Sequence, residues 1–324
     1  MNSLGSERVE STSEDSVGTL SFDADSDGTG ITIIDSIERQ RYSVQTSCPV
    51  TPTPVGADNF LFPADKGISI TTGTLTLPTV VPVYVRDQTG EMLAEAEHFA
   101  YEEFGAGVYS IELGAPIKLY LRVNDPFTVA SDTERTRLEF AEETEILLGA
   151  RSHHEKPAAT VTTTSDPEDM MAAISTFGSA LKTTSCERSY PSLRGHPPTI
   201  ELGESLDIPA GLEVPDTGIR IEIPATHQAI YVAAPLAYYL GAKVVEGDSP
   251  CIVTETGFEH SLETTRGFER EVERVLKQTF FLDCITRTEG YYEVDLHERR
   301  AIESKVDLDF TGNSRRKPRP LGRG

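Results

Sequence analysis

The chain has no tryptophan, and its cations are lopsided, with 8 lysines against 21 arginines in 324 residues. Its four cysteines, Cys48, Cys186, Cys251 and Cys284, lie far apart with no CxxC pair. That spacing speaks against a zinc ribbon or a thioredoxin-like motif and makes reduced, mostly buried thiols the expectation. No stretch approaches the ~18 uncharged apolar residues that a membrane span needs. Residues 1–10 are polar and charged, so no secretory leader and no membrane partner are expected. A Walker loop, a dinucleotide-binding glycine fingerprint, a Gly-x-Ser-x-Gly elbow and a His-Glu-x-x-His pair are all missing. The commonest motif-bearing enzyme classes therefore gain no support, and no cofactor is expected.

Acid is what the chain has in excess, with 52 Asp and Glu giving a formal charge of −23. Residues 1–164 carry −15, residues 165–310 carry −13 and residues 311–324 carry +5. An acidic coat on both halves, rather than one acidic tail, suits a salt-rich cytoplasm, where screening lengths shrink to a few ångströms. The apolar fraction of 38% and the length allow about two domains, each with its own core.

Residues 1–17 are rich in Ser, Glu and Gly and read as a disordered acidic arm. From Thr19 onward, short β-type runs separated by turn signals follow one another, including Ile31–Ile34, Ile68–Leu77, Ile117–Val123, Arg137–Phe140, Glu145–Leu148 and Thr160–Thr163. About a dozen such runs predict a β-rich sandwich or barrel-like domain over residues 18–164. At Asp166 the pattern changes. An N-cap, Pro167 at the first helical position and Met170, Ala173, Ile174, Phe177 and Leu181 at helical spacing predict a helix. Further expectations are strands at Ile219–Ile223, Ala229–Ala234, Lys243–Val245 and Cys251–Thr254, a short helix Leu236–Leu240 closed by Gly241, and a helix opening near Gly267. Residues 165–310 thus read as a smaller α/β domain, and the whole as a mixed α+β protein. The stretch Phe280–Ile285 fits either a buried strand or a continued helix.

The tail, residues 311–324, has five basic residues and no acid. It reads either as a basic arm for nucleic acid or as out-of-frame translation ending a truncated chain. The second is preferred, because a basic arm tethered to so acidic a body would be drawn to its own surface.

Four local patterns are candidates for chemistry. Asp23, Asp25 and Asp27, with Gly28, open like a calcium loop, but Ile34 stands where a bidentate Glu belongs, so an acidic hairpin turn is the simpler reading. His153 and His154 are adjacent, and neighbouring strand residues face opposite sides, so exposed loop histidines are expected rather than a metal pair. His196, framed by Gly195, Pro197 and Pro198, is a rigidly held loop histidine. Combined with Cys284 after Phe280-Phe-Leu-Asp, it resembles the His and Cys order of caspase-like peptidases, which would imply a cysteine-dependent hydrolase. Gly195 precedes His196 where that family commonly has a following Gly, and Asp283 stands before Cys284 where a small residue is usual.

The segments His98-Phe-Ala-Tyr-Glu-Glu103, Gly149-Ala-Arg-Ser-His-His-Glu155, Arg194-Gly-His-Pro-Pro198 and Ala234-Pro-Leu-Ala-Tyr-Tyr-Leu-Gly-Ala242 together resemble a family of uncharacterised proteins of halophilic archaea. The likeness spans about residues 31–310, implies a longer chain and brings no activity with it. The sequence therefore points to an interaction or regulatory module with a protein partner. A hydrolase built on His196 and Cys284, and nucleic-acid binding through the tail, are the alternatives.

Overall fold

A computed structural model describes residues 20–26, 28–287, 297–303 and 305. The first half is a 12-stranded antiparallel sheet folded over on itself. Its strands are β1 (Leu20–Ala24), β2 (Gly30–Asp35), β3 (Gln40–Thr46), β4 (Thr53–Val55), β5 (Lys66–Leu77), β6 (Val83–Asp87), β7 (Met92–Ala96), β8 (Tyr101–Phe104), β9 (Tyr109–Leu113), β10 (Lys118–Val123), β11 (Phe127–Ser131) and β12 (Thr136–Arg151).

The long pair β5–β12 is the hinge of this sheet. One end of β12 pairs with β11 through Thr136–Phe140, and the other end pairs with β10 through Leu147–Arg151. Between Glu139 and Thr144 the register with β5 slips. Across that slip β5 changes its inward set from Ile68 and Ile70 to Leu75 and Leu77, so both ends keep their apolar side chains inside. The sheet turns its corner there, and the two flaps face each other. Ile31, Ile33 and Val44 from one flap share a core with Val85, Ile111 and Leu121 from the other. The sandwich expected from alternation is therefore present, with Arg137–Phe140 and Glu145–Leu148 joined as one strand rather than two.

Across the outer face of the sheet the segment leading from β4 to β5 packs Phe60 against Tyr120 and Leu147. The Arg151 guanidinium, 2% exposed, sits 5.5 Å from the Tyr120 ring centroid and donates to the Pro63 carbonyl.

The second half comprises β13 (Thr160–Thr163), α1 (Pro167–Ser175), β14 (Thr199–Leu202), β15 (Ile219–Ile223), α2 (His227–Leu240), β16 (Lys243–Glu246), β17 (Cys251–Thr254), β18 (Glu259–Ser261), α3 (Phe268–Thr286) and α4 (His297–Glu303). β13 pairs in parallel with β14, and so belongs with this half rather than with the sheet that precedes it in sequence. β15 lies between β16, parallel, and β17, antiparallel, with β18 at the edge. Ile221, Ile223, Val244 and Ile252 of this small sheet meet Ile174 of α1, Ile230 and Leu236 of α2 and Val272 of α3 in a second core.

α1 starts as expected, with the Asp166 carboxylate accepting from the Glu168 N–H and Pro167 in the first turn. The strand expected at Ala229–Ala234 and the separate short helix after it are not present. Residues Ala229–Ala234 are helical, and α2 runs without interruption through Pro235. Thr226 caps it, accepting from Ala229 N–H at 3.3 Å, and Ile230, Ala233, Ala237 and Leu240 fall on one buried stripe at helical spacing. A proline in a helix forgoes one ladder bond, and that loss is milder here because Pro235 and Tyr231 lie on the exposed side, where water reaches the freed carbonyl. Gly241, at φ +61°, ends α2 in the left-handed conformation, as read from the sequence. The ambiguous stretch Phe280–Ile285 continues α3. Residues 1–19, among them the acidic arm, and 306–324, with the basic tail, lie outside the described residues.

Candidate docking groove

The sequence-selected residues fall in three places. Asp23 and Asp25 border the turn between β1 and β2, where the Asp25 carboxylate accepts from the Thr32 hydroxyl at 2.9 Å. Asp27 lies outside the described residues. Among the described residues no group of three or more His, Cys, Asp or Glu is placed to hold a metal ion.

His154 and His196 meet where the two halves join, with His153 next to them in sequence. His196 N–H donates to the His154 carbonyl at 2.7 Å, and its ring Nδ1 lies 2.7 Å from the Pro197 carbonyl. His154, expected to be an exposed loop histidine, is instead 3% exposed and holds φ +54°, and among the described residues neither ring nitrogen has a hydrogen-bond partner. Its pKa falls to about 4, chiefly because burial disfavours the charged ring, with the Lys182 ammonium adding to the effect. Gly195 packs so closely that a Cβ there would stand 2.4 Å from the His154 ring. That contact explains the glycine before His196. The same junction holds a buried ion pair, Lys182 Nζ to Asp65 Oδ2 at 2.8 Å, and Asp65 also accepts from Ser152 N–H. Glu38 accepts from the Glu155 and Lys156 N–H groups. The histidine pair and the Gly-His-Pro-Pro turn are thus parts of one joint.

Cys284 sits on α3 beside a different anchor. Asp283 receives Arg188 Nε at 2.8 Å and the Tyr239 hydroxyl at 2.7 Å, tying α3 to α2 and to the 3-10 turn Cys186–Ser189. Burial and the Asp283 carboxylate push the Tyr239 phenol well above its ordinary pKa. No hydrogen bond joins Cys284 to His196 among the described residues, and Cys284 stands within the helix α3.

The concave feature that none of those residues announced is a groove of about 520 Å³ between β14 and α2, floored by α1. Ile200 and Leu202 of β14 form one wall, Tyr231, Ala234, Pro235 and Tyr238 of α2 the other, and Met170, Ile174 and Phe177 line the base. Leu202 is 73% exposed and Tyr231 60%. The Tyr238 hydroxyl is turned away to donate to the Gly195 carbonyl at 2.6 Å, which fixes its ring as a wall and links the groove to the joint.

β14 has one open side. Thr199 N–H and Gly203 N–H donate toward β13, to the carbonyls of Ala159 and Thr163, so the backbone groups of Ile200 and Leu202 project from the opposite edge. Among the described residues no strand pairs with that edge. β13 is not open in this way, because Thr162 exchanges hydrogen bonds with Asp207 on its far side.

Sequence reasoning missed this groove because its residues come from three separate segments and look individually like core. One signal was available. The stretches 157–181, 195–219 and 221–242, which supply every lining residue, contain no lysine or arginine at all. A smaller hollow of about 310 Å³ lies between the first turns of α2 and α3, with Glu263 on its rim.

No helix among the described residues is long and apolar enough to cross a membrane. No protein-family model, curated protein or solved structure matches the chain.

Proposed function

We propose that the protein is an interaction module that captures a segment of a protein partner in the groove between β14 and α2. The observation that carries this reading is the coincidence of an apolar concavity of about 520 Å³ with strongly exposed Leu202 and Tyr231 on its two walls. Large apolar side chains standing at the rim of a concavity are the ordinary mark of a binding surface. Tyrosine in particular supplies contact area with little loss of side-chain freedom on binding. The acidic composition supports a salt-rich cytoplasm as the setting, where such a surface would still act, because apolar contacts are strengthened rather than screened by many salts.

The test is selection of a random peptide library displayed on phage against the whole chain and against its Ala234→Arg variant, which places a long cation in the groove from the half-buried face of α2. Sequences enriched on the parent and lost on the variant, with the variant's melting temperature unchanged, support the reading. No enrichment, or peptides that bind both proteins alike, overturns it.

A further inference from the structure

We infer that the segment taken by the groove is an extended strand with apolar residues at alternate positions and lysine or arginine at its flanks, added to the open edge of β14. This rests on the docking reading above and gives the partner its chemistry.

The backbone argument comes first. Ile200 and Leu202 present N–H and C=O groups at an edge that nothing else among the described residues pairs. A helix laid in the groove would leave those groups to water, whereas a strand pairs them while placing every second side chain over the apolar floor of Met170, Ile174 and Phe177. The edge is short, four residues of strand, which suits a short linear segment better than a whole sheet. The strand carries no lysine and no proline within it, two of the devices that normally prevent pairing, so its short length and Glu201 are the guards it has.

Charge selects the flanks. The three segments that build the groove carry acid, including Asp166, Glu168, Glu201 and Glu204, and no lysine or arginine. Glu168, Glu201 and Glu204 are exposed. An acidic segment would meet like charge on the elements that form the groove, Glu168 on α1 and Glu201 on β14, while cationic flanks would be attracted to it. Such rim charges govern selectivity and encounter more than final affinity, and their effect shrinks as salt rises.

The experiment measures binding of synthetic peptides to the whole chain by fluorescence anisotropy at about 0.1 M and about 1 M salt. The probes are KRVTITVRK, its acid-flanked counterpart EEVTITVEE, and two forms of the first that are N-methylated at alternate nitrogens, one series facing β14 and the other facing away. The expected result is roughly tenfold tighter binding of the basic peptide at the lower salt, with the gap narrowing at the higher. One N-methylated form should lose binding and the other keep it, and amide exchange at Ile200 and Leu202 should slow in the complex. Equal binding of basic and acidic peptides overturns the charge selection while leaving the docking reading intact. Equal binding of both methylated forms overturns strand addition in the same way. If none of these peptides binds, this inference falls, and the library selection decides separately whether docking itself survives. Two further outcomes would overturn an outside partner. Binding that tightens when residues 311–324 are deleted would assign the groove to the chain's own Arg- and Pro-rich end. A dimer that forms with rising concentration and is abolished by Ala234→Arg would assign it to a second copy.

Discussion

The two halves of the molecule dispose of their apolar residues differently. In the folded-over sheet, the inward residues of eleven strands converge on one core, and even the outer face is covered, with Arg151 laid over Tyr120 at 2% exposure. In the α/β half the core is smaller, and large side chains are left outside it, with Leu202, Tyr231, Phe280, Phe281 and Leu282 all at least 40% exposed. The sheet half has exposed aromatics too, but Phe99 and Tyr101 stand beside the turn between β7 and β8. In the second half Leu202 and Tyr231 face one another across a concavity. The contrast separates a scaffold from a surface. One half buries its apolar residues in a single large core, and the other leaves apolar area exposed along a concavity among the described residues.

The sharpest way to break that comparison is to remove apolar volume from the core of the sheet half. Leu148 is fully buried on β12, where strands from both flaps of the sheet meet. Leu148→Ala should lower unfolding free energy by about 4 kcal/mol, the loss of a buried leucine plus the cavity left in a sheet too constrained to collapse. Urea denaturation followed by circular dichroism measures it. A loss under about 1 kcal/mol would mean that the sheet half is not the rigid scaffold described here.

Much of that scaffold was legible in the sequence, and the reasons are physical. Alternation at Ile31 and Ile33, or at Ile117 to Val123, has period two because successive strand residues point to opposite faces, so burial on one side writes itself into the chain. The single long strand β12 was read as two because its exposed middle, Ala141-Glu-Glu143, carries no inward apolar residue across the bulge. Ala229–Ala234 was read as a strand because a continuous apolar run has no period at all, and Pro235 looked like a fresh start rather than a helix interior. The candidate site was hardly legible. His154 and His196 were noticed singly, yet their meeting depends on a hydrogen bond between segments more than 40 residues apart. The groove depends on how α1, α2 and β14 come together, with Met170 and Ile174 serving both the second core and the floor, a property of the assembled fold rather than of any segment.

The joint between the halves sharpens the comparison in a second way, through pH. His154 is buried, without a hydrogen-bond partner on either ring nitrogen among the described residues, and titrates near 4 when folded against about 6.5 when unfolded. Because the folded pKa is depressed, the unfolded chain binds the proton first. The stability of the joint is therefore complete above pH 6.5 and is lost as pH falls from 6.5 towards 4, by up to about 3 kcal/mol. The groups facing the ring pull in both directions, Lys182 and His196 lowering its pKa and Asp65 and Glu38 raising it. His154→Asn isolates the effect, since asparagine tolerates the left-handed φ and takes no proton in this range. Melting temperature against pH should fall between 6.5 and 4 in the parent and stay flatter in the variant. Identical curves would show that His154 is not what makes the joint acid-sensitive.

The smallest expected effect is the one that separates scaffold from surface most cleanly. Tyr231→Ser and Leu202→Ser remove the two most exposed apolar walls of the groove, at 60% and 73% exposure. Neither side chain contributes to the second core, so each variant should unfold within about 0.5 kcal/mol of the parent. Solubility should rise, because an apolar patch is gone. Urea midpoints and m-values measured together decide the point. An unchanged m-value with an unchanged midpoint means that the groove walls lie outside the cooperative core and are retained for contact. A drop of more than about 1 kcal/mol would instead make Tyr231 and Leu202 part of the packing that holds α2 against β14, and the distinction between the two halves would fail at the place where it matters most.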